Sequence, residues 1–158
     1  MCLFITASVP AADDQPMLGH FYVVADDIAE IYLNGEKIHH AKLGLSKSNE
    51  ITVMKDDVLV IDLKNNGGPK NFMLIFLTTD RKTIVNFKNN DYRILPAFGK
   101  KNLQKEDVDA YRKFAVDLRK KPRSDIGIKH KSETVWGEAN QCVLGAVIDS
   151  GMIESYSE

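Results

Sequence analysis

The chain has 158 residues, 44% of them hydrophobic and 27% charged, and its 21 basic and 22 acidic side chains leave a formal charge of −1. That length suits one domain with a core large enough to be stable alone, and the composition excludes a disordered or fibrous chain. The near-neutral balance supplies no global field to draw in nucleic acid or an anionic membrane, and no run of about 18 apolar residues spans a bilayer.

Cys2 to Val9 is a short apolar run leading into Val9-Pro10-Ala11, small at the last position, so residues 1–12 read as a truncated secretory signal peptide. The expected location is secreted, periplasmic or in the cell envelope. No Lys or Arg precedes the run, and the alternative is a strand-forming N-terminus of a cytosolic protein. Cleavage near Ala11 would remove Cys2 and leave Cys142 alone, which argues against a disulfide-stapled scaffold.

From His20 to Leu95 short β-rich segments alternate with turn signals, the pattern of a sandwich or barrel within a single domain over residues 18–153. Phe21–Ala25 is the first strand, turned by Asp26-Asp27, and Ile28–Leu33 follows with Ala29, Ile31 and Leu33 on one face and Glu30 and Tyr32 on the other. Asn34-Gly35 is the strongest local signal, because a two-residue type I′ turn needs positive φ at both positions. The register predicted from it opposes Leu33 to Glu36, Tyr32 to Lys37 and Ile31 to Ile38, with Ile31, Leu33 and Ile38 in the core and Tyr32 outside.

A second hairpin is predicted from residues 50–54 through Lys55-Asp56-Asp57 to residues 58–64, with Leu59, Ile61 and Leu63 inward. Asn65-Asn66-Gly67-Gly68-Pro69 breaks the chain before the apolar run Phe72–Leu77, read as a central strand. Asp80-Arg81 turns it back into Lys82–Phe87, and Tyr92–Leu95 ends the series at Pro96. Lys105 to Lys120 carries Val108, Tyr111, Phe114, Ala115 and Leu118 at helical spacing, with acids in its first turn and bases in its last, so one helical insertion is expected near residues 104–121. Its basic cluster lacks aromatic interleaving and reads as a solvated face rather than a nucleic-acid surface. Further strands are expected at about residues 126–129, 134–136 and 142–148.

Ala25-Asp26-Asp27, Ile31-Tyr32-Leu33-Asn34-Gly35 with Lys37, and Leu63-Lys64-Asn65-Asn66-Gly67-Gly68-Pro69 before an apolar strand resemble the galactose-binding-like family over about residues 20 to 95. The resemblance implies a mainly β fold, an antiparallel jelly-roll β-sandwich, and a non-catalytic carbohydrate-binding or adhesion module of an exported protein. It also implies that a structural calcium ion is bound in several members. No ligand residue carries over, because the family places its ligands in variable loops.

A sugar site needs an aromatic ring to stack on a pyranose, flanked by amides, carboxylates or guanidinium groups. Tyr32, Asn65, Asn66, Tyr92, Arg93 and Trp136 are the candidate binding residues. Trp136 has a second reading as a sheet-packing residue, and Tyr32 as a cross-strand contact of Lys37. Asp26 and Asp27 are candidate calcium ligands and, alternatively, turn-formers that accept backbone N–H bonds. His39-His40 points to opposite faces of a strand and cannot share one ion readily. No catalytic motif is present. The expected function is therefore an exported, non-catalytic module for carbohydrate or cell-surface polysaccharide, the alternative a structural or protein-interaction domain of the cell envelope. A small hydrolase would gain support if His39, His40 or His130 met a carboxylate in a cleft.

Overall fold

A computed structural model describes residues 15–68, 70–96, 102–111 and 140–157. Apolar alternation at the start of this stretch makes strand β1 (Met17–Asp26), with Phe21, Val23 and Ala25 in the main core and Val24 on the opposite face. Strands β2 (Ile28–Leu33) and β3 (Glu36–Ala41) then form the expected hairpin. Asn34 and Gly35 take φ of 49° and 86°, the left-handed values that Asn-Gly adopts at least cost in a two-residue turn.

Leu33 faces Glu36 and Tyr32 faces Lys37, as the turn dictates, but Ile31 faces His39 instead of Ile38. The register shifts between Ile31 and Tyr32, and Ile38 is the extra residue on β3. A turn fixes register only as far as the first bulge. Ile38 nevertheless packs, half-buried, against the core that holds Ile31 and Leu33.

Two short strands come next, β4 (Gly44–Lys47) and β5 (Ile51–Val53), and both pair with β1. The hairpin expected between residues 50–54 and 58–64 does not form. Strand β6 (Val58–Lys64) pairs with β2 instead, so Lys55-Asp56-Asp57 carries the chain from one sheet to the other. That turn is held from both sides: the Asp57 carboxylate accepts the Met54 N–H at 2.7 Å, and the Asp56 N–H donates to the Ile148 carbonyl at 2.7 Å. Alternation shows which face of a strand is buried but not which strand lies beside it, and the turn signal alone reads as a hairpin. Leu59, Ile61 and Leu63 do face inward.

Strand β7 (Asn71–Thr78) lies between β1 and β8 (Thr83–Asn86), a central strand buried on both faces as its unbroken apolar run requires. Asp80 shapes the β7–β8 turn by accepting the Thr78 hydroxyl at 2.7 Å and the Lys82 N–H at 3.1 Å. Strand β9 (Tyr92–Leu95), helix α1 (Lys105–Asp109), β10 (Gln141–Val147) and β11 (Ile153–Ser155) complete the described elements. The helix begins where its pattern places it, and the Gln104 N–H donates to the Asp107 carboxylate at 2.9 Å in its first turn. Residues 112–121 of the expected helix, the strands expected at 126–129 and 134–136, Trp136 and residues 1–12 lie outside the described residues. No helix among the described residues is long and apolar enough to cross a membrane.

The protein is thus mainly β, with two antiparallel sheets and one short helix. The first sheet runs β11-β8-β7-β1-β4, with β5 also on β1, and the second runs β3-β2-β6-β10-β9. Phe21, Leu74 and Phe76 from the first sheet and Ile31, Ile61 and Leu144 from the second share one fully buried core. The Phe21 and Phe76 rings meet edge to face, centroids 5.1 Å apart. Each such side chain contributes roughly 1.5–3 kcal/mol on burial. The second sheet also buries part of its outer face, where Val58, Val60, Leu95, Val143 and Val147 meet Leu103 and Val108 from the helix segment.

Candidate functional site

Cross-strand register turns the outer face of the second sheet into a map of rungs. One rung reads Lys37, Tyr32, Val60, Gly145, Arg93, so two residues expected to bind a ligand share a face and a row. At roughly 4.8 Å between strands, Tyr32 and Arg93 stand about 14 Å apart. The next rung reads His40, Glu30, Asp62, Val143, Leu95. The helix segment packs over the valines and Leu95, so a polar patch is left around Tyr32 toward β3.

Glu30 organises this patch. One carboxylate oxygen accepts from Lys37 Nζ at 2.7 Å, and the other from the Tyr32 hydroxyl at 3.0 Å. His40 Nδ1 lies 3.5 Å from the first oxygen. The Lys37 hydrogen bond holds the Glu30 carboxyl below the usual carboxylate range, against the opposing effect of burial. Burial, and then the hydrogen bond to Glu30, raise the Tyr32 hydroxyl above its ordinary value. Tyr32 is half-buried and touches the valine cluster, so its ring is braced from one side and fixed at its hydroxyl. On the same face Asp62 is buried and accepts from Gln141 Nε2 at 3.4 Å. His40 thus meets a carboxylate on an open sheet face, and it lines neither of the clefts beside the helix.

Arg93 belongs to the first of those clefts, about 270 Å³ in volume, between β9, α1 and the end of β10. Its guanidinium donates to the Asn90 and Tyr92 carbonyls at 3.0 and 3.3 Å. Asp91, Asp109, Asp149 and Lys105 complete a strongly polar lining. The second, a depression of about 420 Å³, lies on the other side of α1 between Asn34, Asp56 and Asn102. Lys105 lines both and bonds Asp56 at 2.8 Å, which lowers the Asp56 pKa.

The remaining expected residues separate. Tyr92 is fully buried, in contact with Phe72 and Phe87 at centroid distances of 6.4 and 6.2 Å, so it is a core residue and offers no stacking surface. Strand β9 turns Tyr92 inward and Arg93 outward, the ordinary outcome of period-two alternation. Asn65 is buried in the turn after β6, where its side chain accepts the Gly67 N–H at 2.6 Å, whereas Asn66 is exposed. The Asp27 carboxylate accepts the Asn66 N–H at 2.6 Å and so closes that turn against the connection between the sheets. Among the described residues no group of three or more His, Cys, Asp or Glu side chains could hold a metal. The Asp27 carboxylate accepts a backbone N–H, the contact that the turn-forming reading of Asp26 and Asp27 calls for.

Sequence reasoning placed Glu30 on the Tyr32 face but named none of Glu30, His40 and Asp62 as a site residue. Glu30 was findable, since it shares the Tyr32 face by alternation. So was Asp62, the one acid inside the otherwise apolar run Val58–Leu63. His40 needed the bulge, which no residue of β2 or β3 announces. No protein-family model, curated protein or solved structure matches the chain.

Proposed function

We propose that the chain is a non-catalytic, carbohydrate-binding module of an exported protein, built as a galactose-binding-like jelly-roll β-sandwich and acting through the Tyr32 face. The observation that carries this reading is the grouping of a braced aromatic ring with Glu30, Lys37 and His40 on one open surface. A pyranose has an apolar face of C–H groups and a rim of hydroxyls. The Tyr32 ring suits the first, while the Glu30 carboxylate can accept hydroxyl protons and Lys37 can donate to hydroxyl oxygens. Two sheets with one shared core support the sandwich.

A glycan array with the purified protein tests the reading, run with and without calcium. Binding to a defined glycan that Tyr32→Ala and Glu30→Gln each weaken at least about tenfold, roughly 1.4 kcal/mol, is the expected result. Silence on every glycan, or binding indifferent to both substitutions, overturns it. The runner-up is a cell-envelope module that docks another protein. It draws on Leu18, Leu43 and Leu45, which are 50%, 71% and 50% exposed beside one edge of the first sheet. Self-association or binding to an envelope protein that Leu45→Glu abolishes and Tyr32→Ala leaves intact would favour that edge.

A further inference from the structure

We propose that Asn66 is a site of spontaneous deamidation, and that the fold directs this chemistry to Asn66 and away from Asn34. The sequence has two Asn-Gly steps, Asn34-Gly35 and Asn66-Gly67. Glycine after asparagine leaves no side chain to hinder attack on the amide, so both steps are reactive in an unfolded chain. The glycine nitrogen gives its proton to solvent base and bonds to the asparagine Cγ. The Cγ–Nδ2 bond breaks, and the amide nitrogen leaves as ammonia with a proton from water. Water then opens the cyclic imide at either carbonyl, giving aspartate or isoaspartate; water is the only co-reactant and nothing is oxidised.

The two steps sit in different surroundings. Asn34 Oδ1 accepts the Val58 N–H at 2.9 Å, Nδ2 donates to Asp57 Oδ1 at 2.8 Å, and the Asn34 N–H donates to the Val58 carbonyl at 2.8 Å. Swinging Cγ toward the Gly35 nitrogen breaks both side-chain bonds. Asn102 also covers the turn, close enough that a Cβ on Gly35 would lie 2.8 Å from the Asn102 Cβ. Asn66 is exposed, and of its groups it is the backbone N–H that is held, by Asp27. Among the described residues, chain neighbours aside, nothing lies within 4 Å of the position of a Cβ on Gly67 or Gly68. The opposing restraints are the Gly67 N–H bond to Asn65 Oδ1 at 2.6 Å, the Asn65 Nδ2 bond to the Gly68 carbonyl at 3.5 Å and the Asn66 N–H bond to Asp27, none of which holds the Asn66 side chain. Attack at Asn66 gives up the Gly67 N–H bond but, among the described residues, no bond of the Asn66 side chain, whereas attack at Asn34 breaks both side-chain bonds that anchor its turn.

The test follows amide loss by peptide mapping and mass spectrometry, with isoaspartate scored separately, in the full chain at mildly alkaline pH. One sample stays folded and one is held in denaturant. In the folded protein the acid is expected to accumulate at Asn66 several-fold faster than at Asn34, and in denaturant the two rates should converge. Comparable rates at the two sites in the folded protein overturn the proposal. So does an intact Asn66 amide after the interval in which the denatured chain has converted. Asn66→Gln should remove the early phase of ammonia release from folded protein, and an unchanged early phase also overturns it.

Discussion

Replacing Asn34 by glycine isolates what the Asn34 side chain does beyond shaping a turn. Glycine accepts the φ of 49° without steric cost, so the backbone keeps its path. Two contacts disappear: Oδ1 no longer accepts the partly buried Val58 N–H, and Nδ2 no longer donates to the Asp57 carboxylate. An amide left without its partner costs about 1–3 kcal/mol, and the exposed bond to Asp57 adds up to about 1 kcal/mol. The expected loss is therefore about 1–4 kcal/mol, or roughly 2–16 °C in Tm for a chain of this size. Urea denaturation followed by far-UV circular dichroism should show a lower midpoint at an unchanged slope, since the surface exposed on unfolding is the same. In a cycle with Asp57→Ala, the two changes should fall short of additivity by about 0.5–1 kcal/mol. A loss for Asn34→Gly below about 0.5 kcal/mol would show that Asn34 serves the turn through its backbone alone, and the anchoring argument would be wrong.

Two further perturbations probe other parts of the molecule. At Gly19 a Cβ would run into the Leu77 carbonyl oxygen and lie 2.7 Å from the Thr78 Cα, both backbone of the neighbouring strand, so Gly19→Ala should cost at least about 3 kcal/mol or prevent folding. A urea midpoint within experimental error of the parent would contradict that close approach. His39 meets the Ser46 hydroxyl at 2.9 Å across the adjoining edges of the two sheets, and burial first, then His40, lowers its pKa. With a folded pKa below the unfolded value of about 6.5, its contribution is full above that pH and declines as pH falls through the folded pKa. His39→Gln should flatten this acid decline in urea midpoints measured between about pH 7 and pH 5, and parallel curves for the two proteins would refute the assignment.

Local signals proved legible where the physics is local. Asn34-Gly35 announced its turn because few other pairs tolerate two successive left-handed residues, and Phe72–Leu77 announced a central strand because both of its faces are apolar. The failures begin where a residue's neighbour is chosen by the whole fold. Lys55-Asp56-Asp57 looks the same whether it closes a hairpin or crosses between sheets, and only the pairing of β5 with β1 decides. Tyr92 and Arg93 looked equally available for binding, yet adjacent strand positions must part, and Phe72 and Phe87 claimed the tyrosine. The Tyr32 patch was half visible: alternation joins Glu30 to Tyr32, whereas Asp62 and His40 arrive from strands whose placement no local pattern specifies.

The order of strands also bears on how this chain can reach its native state. Among the described strands, chain neighbours share a sheet only at β2–β3, β4–β5, β7–β8 and β9–β10, and β4 and β5 each pair with β1. Every other connection leaves for the opposite sheet. Neither sheet can therefore be assembled from one continuous stretch, and the β1–β7 ladder joins His20 to Leu77 across more than a third of the chain. Closing such loops costs entropy before any contact offsets it, which places the protein among slow folders on a scale of about milliseconds to seconds. A nick or truncation within one sheet would at once deprive the other of its partners, so partial unfolding of either sheet should cost nearly as much as unfolding both.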